Sequence, residues 1–453
     1  MPRPLPDDSP GSDREEARGE SVEERPEETP ERAVSRRALL GGAAAAAGGV
    51  LLSRLPLGAA TPAAAPAPAD TTPPSSSGAV VPPDPSAVPG GPTTAVSARS
   101  PFEAPARTPA GVITGSSYSP LQHFSGTITP SDLVFERHHG GVAMVDPARW
   151  RLLVHGLVER PMIFTLDDLK RLPGITRIAF IECSGNGRAA YRAPTRDMTP
   201  QTVDGLTSNV EWTGVPLAVL LREVGVRAEA KWLLAEGGDS PKLSRSVPVE
   251  KGWKDAIIAY AMNGEPLRPA NGYPARLLLP GYEANMSVKW LRRVKLIAQP
   301  NMSRDETSKY TDPLPDGTAR QFSFDMDAKS IITSPAYPER LPGRGWVQIT
   351  GIAWSGRGKI ARVDVSTDGG RSWTAAELQE PVLPMAHTRF RLMWEWDGRA
   401  ATLMSRAVDE TGYAQPTLAL FRERRGPGTD FHFNHIRTWT VEPDGHVYYG
   451  VEA

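Results

Sequence analysis

Residues 176–188, Thr-Arg-Ile-Ala-Phe-Ile-Glu-Cys-Ser-Gly-Asn-Gly-Arg, carry a hydrophobic strand pattern straight into a small, polar turn at Cys183. A reactive atom placed where a strand stops is rigidly aimed. Cys183 is the single cysteine of the chain. A lone cysteine is ordinarily a small buried hydrophobe, but these neighbours argue for chemistry. Glu182 and Asn186 are polar, Gly185 and Gly187 let backbone amides approach a ligand, and Arg188 favours thiolate over thiol. Such a thiolate can be a nucleophile, a redox thiol or a metal ligand. A hydrolase needs a base held nearby, and the histidines show no partner signature. Redox thiol chemistry wants a resolving cysteine, and the sequence has none. Metal ligation remains, and since one thiolate cannot hold a metal alone, an organic cofactor must supply the other donors.

Two competing motifs fail on context. Gly185, Gly187 and Ala190 satisfy the dinucleotide pattern G-x-G-x-x-A, yet Pro194 and Pro200 stand where the phosphate-binding helix should run. His138 and His139 are adjacent, so on an extended strand they point to opposite faces and cannot share one ion. The absence of C-x-x-C-H leaves no expected attachment site for c-type haem, so electrons need a separate acceptor.

The elements that must position Cys183 occupy part of a 453-residue chain, long enough for two or three domains. Acidic and basic residues nearly cancel, 52 against 51, which excludes a global field for nucleic acid or anionic membranes. Residues 1–34 are charged and proline-rich and read as a disordered extension. Residues 35–61, with Arg36 and Arg37 before a short Gly/Ala-rich apolar stretch, read as a twin-arginine export signal, too short for a stable membrane span. The expected location is therefore periplasmic or otherwise extracytoplasmic. Residues 62–115, rich in Ala, Pro, Ser and Thr, read as an extended linker.

Residues 116–324 mix strand and helix signals and read as an α+β domain. Thr165 and Asp168 have the spacing of a capping box, and Leu217, Leu220, Leu221 and Val224 that of a helix before Gly225. In residues 325–445, Ala361, Val363 and Val365 alternate with polar residues, as do Phe390, Leu392, Trp394 and Trp396. Successive short strands without a helical pattern predict an all-β, immunoglobulin-like sandwich.

From about Tyr118 to Val441 the chain resembles the sulfite oxidase family of molybdenum oxidoreductases, most closely its bacterial sulfite and sulfane dehydrogenase branch. The likeness rests on FERHHGGV, IECSGNGR, AYAMNGEPL, NGYPARLLLPGYEANMSVKWLRRV and VDVSTDGGRSW, in the family's order and approximate spacing. It implies a molybdenum–molybdopterin cofactor with Cys183 as protein ligand. It also implies Arg137 and Arg188 at the substrate, Tyr260 as active-site tyrosine, and His139, Arg276, Ser287 and Lys289 as cofactor contacts. Thr438 stands where some members have a further substrate arginine, so Arg437 or His435 is expected to replace it. The resemblance implies oxidation of sulfite or a carrier-bound sulfane sulfur, a cytochrome c acceptor and a homodimer through the C-terminal domain. Its rivals are a sulfoxide reductase on the same scaffold and an exported binding protein that kept the fold without the reaction.

Overall fold

Alternating aliphatic residues in Ile175–Glu182 and Thr207–Pro216 zip into an antiparallel pair, from Ile175 opposite Gly214 to Glu182 opposite Thr207. In the computed structural model, which describes residues 90–451 apart from Pro427, the chain from Thr94 onward forms one compact unit. The expected extension over residues 1–34, the export segment over 35–61 and the linker as far as residue 89 lie outside the described residues.

Ile257–Met262 pairs with the far side of Thr207–Pro216 and is itself flanked by Glu265–Pro266 and Arg276–Leu278, completing a five-stranded sheet. A second sheet runs in the order Met162–Phe164, Leu152–Gly156, Leu291–Ile297, Trp232–Gly237, Ser244–Pro248. Leu291–Ile297 and Leu152–Gly156 are parallel. Parallel neighbours need a long crossover, and here it contains the whole first sheet. The capping box forms, with the Asp168 amide donating to Thr165 Oγ1 and the Thr165 amide to the Asp168 carboxylate. Leu217–Val224 is a helix whose Leu217, Leu220, Leu221 and Val224 are all fully buried, and Gly225 ends it at φ 64°, a conformation glycine adopts without steric cost.

Regular structure reaches into the expected linker. Thr108–Gly111 pairs with Gly115–Tyr118, which pairs with Glu136–His138, so residues 108–115 are strand and turn rather than linker. Thr108–Gly111 is exposed along its length and carries no apolar signature to announce it.

Beyond residue 325 two sheets pack face to face. One orders Lys329–Ser334, Gly345–Trp354, Thr388–Trp396, Glu377–Leu378; the other Thr374–Ala375, Ile360–Ser366, Ala401–Asp409, Thr438–Val441, Val447–Tyr449. They enclose Trp354, Phe390, Leu403 and Trp439, the sandwich that the alternation predicts. Two local features differ from the pattern. Ala361 is exposed, because an irregularity between Ile360 and Arg362 moves it off the inner face. A helix, Leu418–Arg425, interrupts the strands with only Phe421 buried, too polar to show as a helical stripe. The sandwich core continues into Phe180, Ala190 and Val203, which fastens it to the strand that ends beside Cys183. Among the described residues no helix is long and apolar enough to cross a membrane.

Candidate active site

At Glu182 the edge strand stops and the chain turns, the Asn186 amide donating to the Cys183 carbonyl at 2.9 Å and the Cys183 amide to Leu206 at 3.0 Å. Gly187 closes the turn at φ 90°, where a Cβ would sit 2.2 Å from the Arg437 guanidinium, so glycine is required twice over. Cys183 is half-buried. Burial pushes its thiol pKa up, against the Gly185 amide and the charges of Arg137 and Arg188, which pull it down. Burial wins, so the arginines alone do not make the thiolate; a bound metal ion would displace the proton.

Behind the turn lies a closed charge cluster. The Glu182 carboxylate accepts from Asn186 Nδ2 at 2.9 Å, Trp354 Nε1 at 2.6 Å and Lys329 Nζ at 3.1 Å. Lys329 also meets Asp204 at 2.6 Å, and Asp204 takes Arg437 Nε at 2.8 Å and Nη2 at 3.0 Å. Two carboxylates face two cations, all buried. Arg437 and His435 therefore do not replace the missing substrate arginine. Arg437 is committed to Asp204, His435 Nε2 lies against Arg437, and neither lines the cleft in front of Cys183. Burial also pushes the His435 pKa well below its ordinary value.

In front of the turn the balance is reversed. A cavity is lined by Cys183, Arg137, His138, His139, Arg276, Ser287 and Lys289. Arg276 donates Nη1 to the Asn271 carbonyl at 3.0 Å and Nη2 to Ser287 at 2.7 Å, while its buried Nε has no partner. Lys289 Nζ donates to the carbonyls of Arg137 and Ala270, both at 3.0 Å, and to His138 Nδ1 at 2.9 Å. Among the described residues neither cation forms an ion pair. Burial pulls the Arg276 pKa to about 9 and that of Lys289 well below the lysine range. Asp239 also lines the cavity, but among the described residues no carboxylate pairs with either cation; buried unpaired cations are costly unless an anion arrives, so the cavity fits a cofactor with an anionic tail. Among the described residues no cluster of three or more His, Cys, Asp and Glu could hold a metal. One protein sulfur with the remaining donors supplied by a pterin dithiolene suits this wall.

The strand ends at His138, and the two histidines take different partners: His138 Nε2 meets Glu136 at 3.0 Å, whereas His139 Nε2 meets the Tyr310 hydroxyl at 2.7 Å. Arg137 and Arg188 both line the wider cleft that opens over Cys183. Arg188 donates Nε and Nη2 to the Asp430 carbonyl at 3.1 and 2.6 Å.

Tyr260 lies elsewhere. Its neighbour Ala261 pairs with Thr213, and Thr213 with Thr176, seven positions before Cys183, or roughly 20 Å along the ladder. Its ring packs against the aliphatic core and lines neither cavity. The tyrosines that share the cleft with Cys183 are Tyr310 and Tyr118. Tyr310 sits at φ 49° in a loop, with the Arg245 guanidinium 5.0 Å from its ring and Phe431 5.3 Å away. Nothing periodic in residues 301–311 announces it; its one sequence signal is an aromatic in an otherwise polar loop.

The family model of the oxidoreductase molybdopterin binding domain matches residues 139–304, and that of the Mo-co oxidoreductase dimerisation domain residues 320–438. An NADH nitrate reductase of Solanum lycopersicum is 31% identical over 342 residues, covering 66% of this chain and 37% of that protein. One of Phaseolus vulgaris is 32% identical over 311 residues, covering 61% and 35%. The chain thus spans about a third of the length of these curated relatives. The crystal structure of the sulfane dehydrogenase SoxCD from Paracoccus pantotrophus matches with 44% identity and a TM-score of 0.77, covering 82% of this chain and 97% of that one. With its cation-lined cavity, its cysteine at the strand end and these likenesses, the chain belongs to the sulfite oxidase family, in its bacterial branch, as a molybdopterin-dependent oxidoreductase.

Proposed function

We propose that this chain oxidises sulfite, or a sulfane sulfur carried on another protein, and passes the electrons to an external cytochrome c. The observation that carries the reading is the cleft in which Arg137 and Arg188 stand beside the Cys183 sulfur. Guanidiniums stay charged throughout the working range, which suits a sulfur group that gains negative oxygen. When bound, the molybdenum–pterin group supplies a two-electron redox centre with a transferable oxygen. Cys183 would hold its metal, and Arg276, Lys289, Ser287 and His139 its pterin and anionic tail.

Tyr310 holds a proton at the cleft. Burial raises its pKa and, with the charge of Arg137, lowers that of His139 to about 4, so near neutrality the phenol is protonated and the imidazole neutral. In the overall half-reaction sulfite and water give sulfate, two protons and two electrons, and this pair lies where protons must be managed.

Export by the twin-arginine route and a homodimer through the C-terminal domain complete the proposal. The dimerisation-domain match and the exposed Trp346 and Met393 on adjacent sandwich strands support the dimer. The test is a pair of steady-state assays on purified holoprotein. Sulfite or a persulfide-bearing carrier protein is expected to reduce cytochrome c. Sulfoxide-dependent oxidation of a reduced dye, without that activity, would overturn the proposal in favour of a reductase.

A further inference from the structure

We propose that Asp430, contributed by the C-terminal half of the chain, sets the charge selectivity of the cleft by holding Arg188 and Arg192 back from small dianions. The inference rests on the sulfur-oxidising reading of the same cleft. Asp430 and Phe431 line it, and the next amide, that of His432, donates to the Ser184 carbonyl at 2.8 Å, pinning this segment to the turn that follows Cys183. The Asp430 carbonyl takes Nε and Nη2 of Arg188, the two-donor edge with which a guanidinium grips an oxyanion. The Asp430 carboxylate ion-pairs with Arg192 and lies 4.0 Å from Arg188 Nε. Phe431 places its ring 5.3 Å from the Arg188 guanidinium, and the tilted Tyr310 ring lies 5.3 Å from that of Phe431.

Arg188 therefore meets a ligand without its bidentate edge and with its field partly cancelled. Among the described residues Arg137 has no such carboxylate: its Nη1 hydrogen bonds go to the Gly115 and His138 carbonyls. A free dianion, which needs two uncompensated cations to offset its desolvation, is disfavoured relative to a sulfur group of lower charge. Asp430 is thus a specificity-determining residue, separate from the groups that hold the cofactor.

Asp430→Asn removes the charge and keeps the backbone carbonyl that Arg188 uses. In calorimetric titration of sulfate into holoprotein, the variant is expected to bind about three- to tenfold more tightly than wild type, the difference shrinking as salt is raised. The KM for sulfite is expected to fall by a similar factor with little change in kcat. Phe431→Leu, which perturbs the same loop without altering charge, separates charge from loosening. Unchanged sulfate affinity in Asp430→Asn, or an equal gain in Phe431→Leu, overturns the proposal. Tighter sulfate binding by a protein that oxidises no sulfur compound supports Asp430's role and sinks the oxidation reading instead.

Discussion

Two clusters of buried charge flank Cys183, and they are built on opposite principles. Behind the cysteine, Glu182, Asp204, Lys329 and Arg437 answer one another charge for charge, with Trp354 and Asn186 taking up further lone pairs. In front of it, Arg276 and Lys289 are buried with carbonyls for company and, among the described residues, no carboxylate paired with either. A closed cluster is structure: it ties the sandwich to the strand end and fixes where the sulfur points. An open one is a demand for a ligand, and its cost in the empty protein is met when the ligand arrives. The positions look alike in sequence, since each is a lone basic residue near an apolar run.

The most damaging way to break the arrangement is at the atom both clusters serve. Cys183→Ser is expected to abolish turnover, against about one molybdenum per chain in wild type, because a hydroxyl is a poor substitute for the soft thiolate donor. Metal analysis and steady-state assay check this together, and a fully active serine variant would remove the basis of the proposed function.

Next in size is the closed cluster. Lys329→Met leaves the carboxylates of Glu182 and Asp204 buried with one cation fewer, and is expected to cost about 3–5 kcal/mol of stability, measured by denaturant unfolding of the cofactor-free protein. The open cluster should respond in the opposite sense. In the cofactor-free protein Lys289→Met is expected to be neutral or stabilising, since it deletes an uncompensated charge. On cofactor loading the same variant should retain pterin about tenfold less well, the scale of one hydrogen bond to a charged group. If both lysine variants destabilised the cofactor-free protein equally, the distinction between the clusters would be wrong.

This distinction also marks what the sequence can tell. The place of Cys183 at a strand end is legible because a strand pattern followed by glycines is local information, and Arg276, Ser287 and Lys289, which line one cavity with it, stand in one long distinctive string. Tyr260 was misassigned for a related reason. It sits in an equally distinctive string, but that string is a core strand, and its neighbours pair with the end of the sheet remote from the sulfur. Tyr310 was invisible because its place is set by a loop at positive φ and by Arg245 packing on its ring, contacts that leave no periodicity. Arg437 looked free for the substrate because its partner Asp204 lies 233 positions away. The sandwich was read from its alternation, while the exposed Ala361 escaped because a bulge has no signature of its own.

The smallest expected effect concerns pH and isolates the open side. Burial, and after it the charges of Arg137, Lys289 and Lys309, lower the His139 pKa from 6.5 to about 4. The unfolded chain therefore takes up its proton first as pH falls. Stability contributed by the neutral imidazole is complete above 6.5, is lost as pH drops through the interval between the two values, and stops changing below about 4. Allowing for the partial exposure of the ring, the loss should be about 1 kcal/mol. His139→Gln is expected to flatten that part of the stability–pH curve of the cofactor-free protein. Lys289→Met, by removing one of the repelling cations, should move the midpoint of the loss upward. A curve unaltered by either substitution would mean that the cationic wall does not act on His139, and that its apparent lack of compensation is relieved by solvent rather than reserved for a ligand.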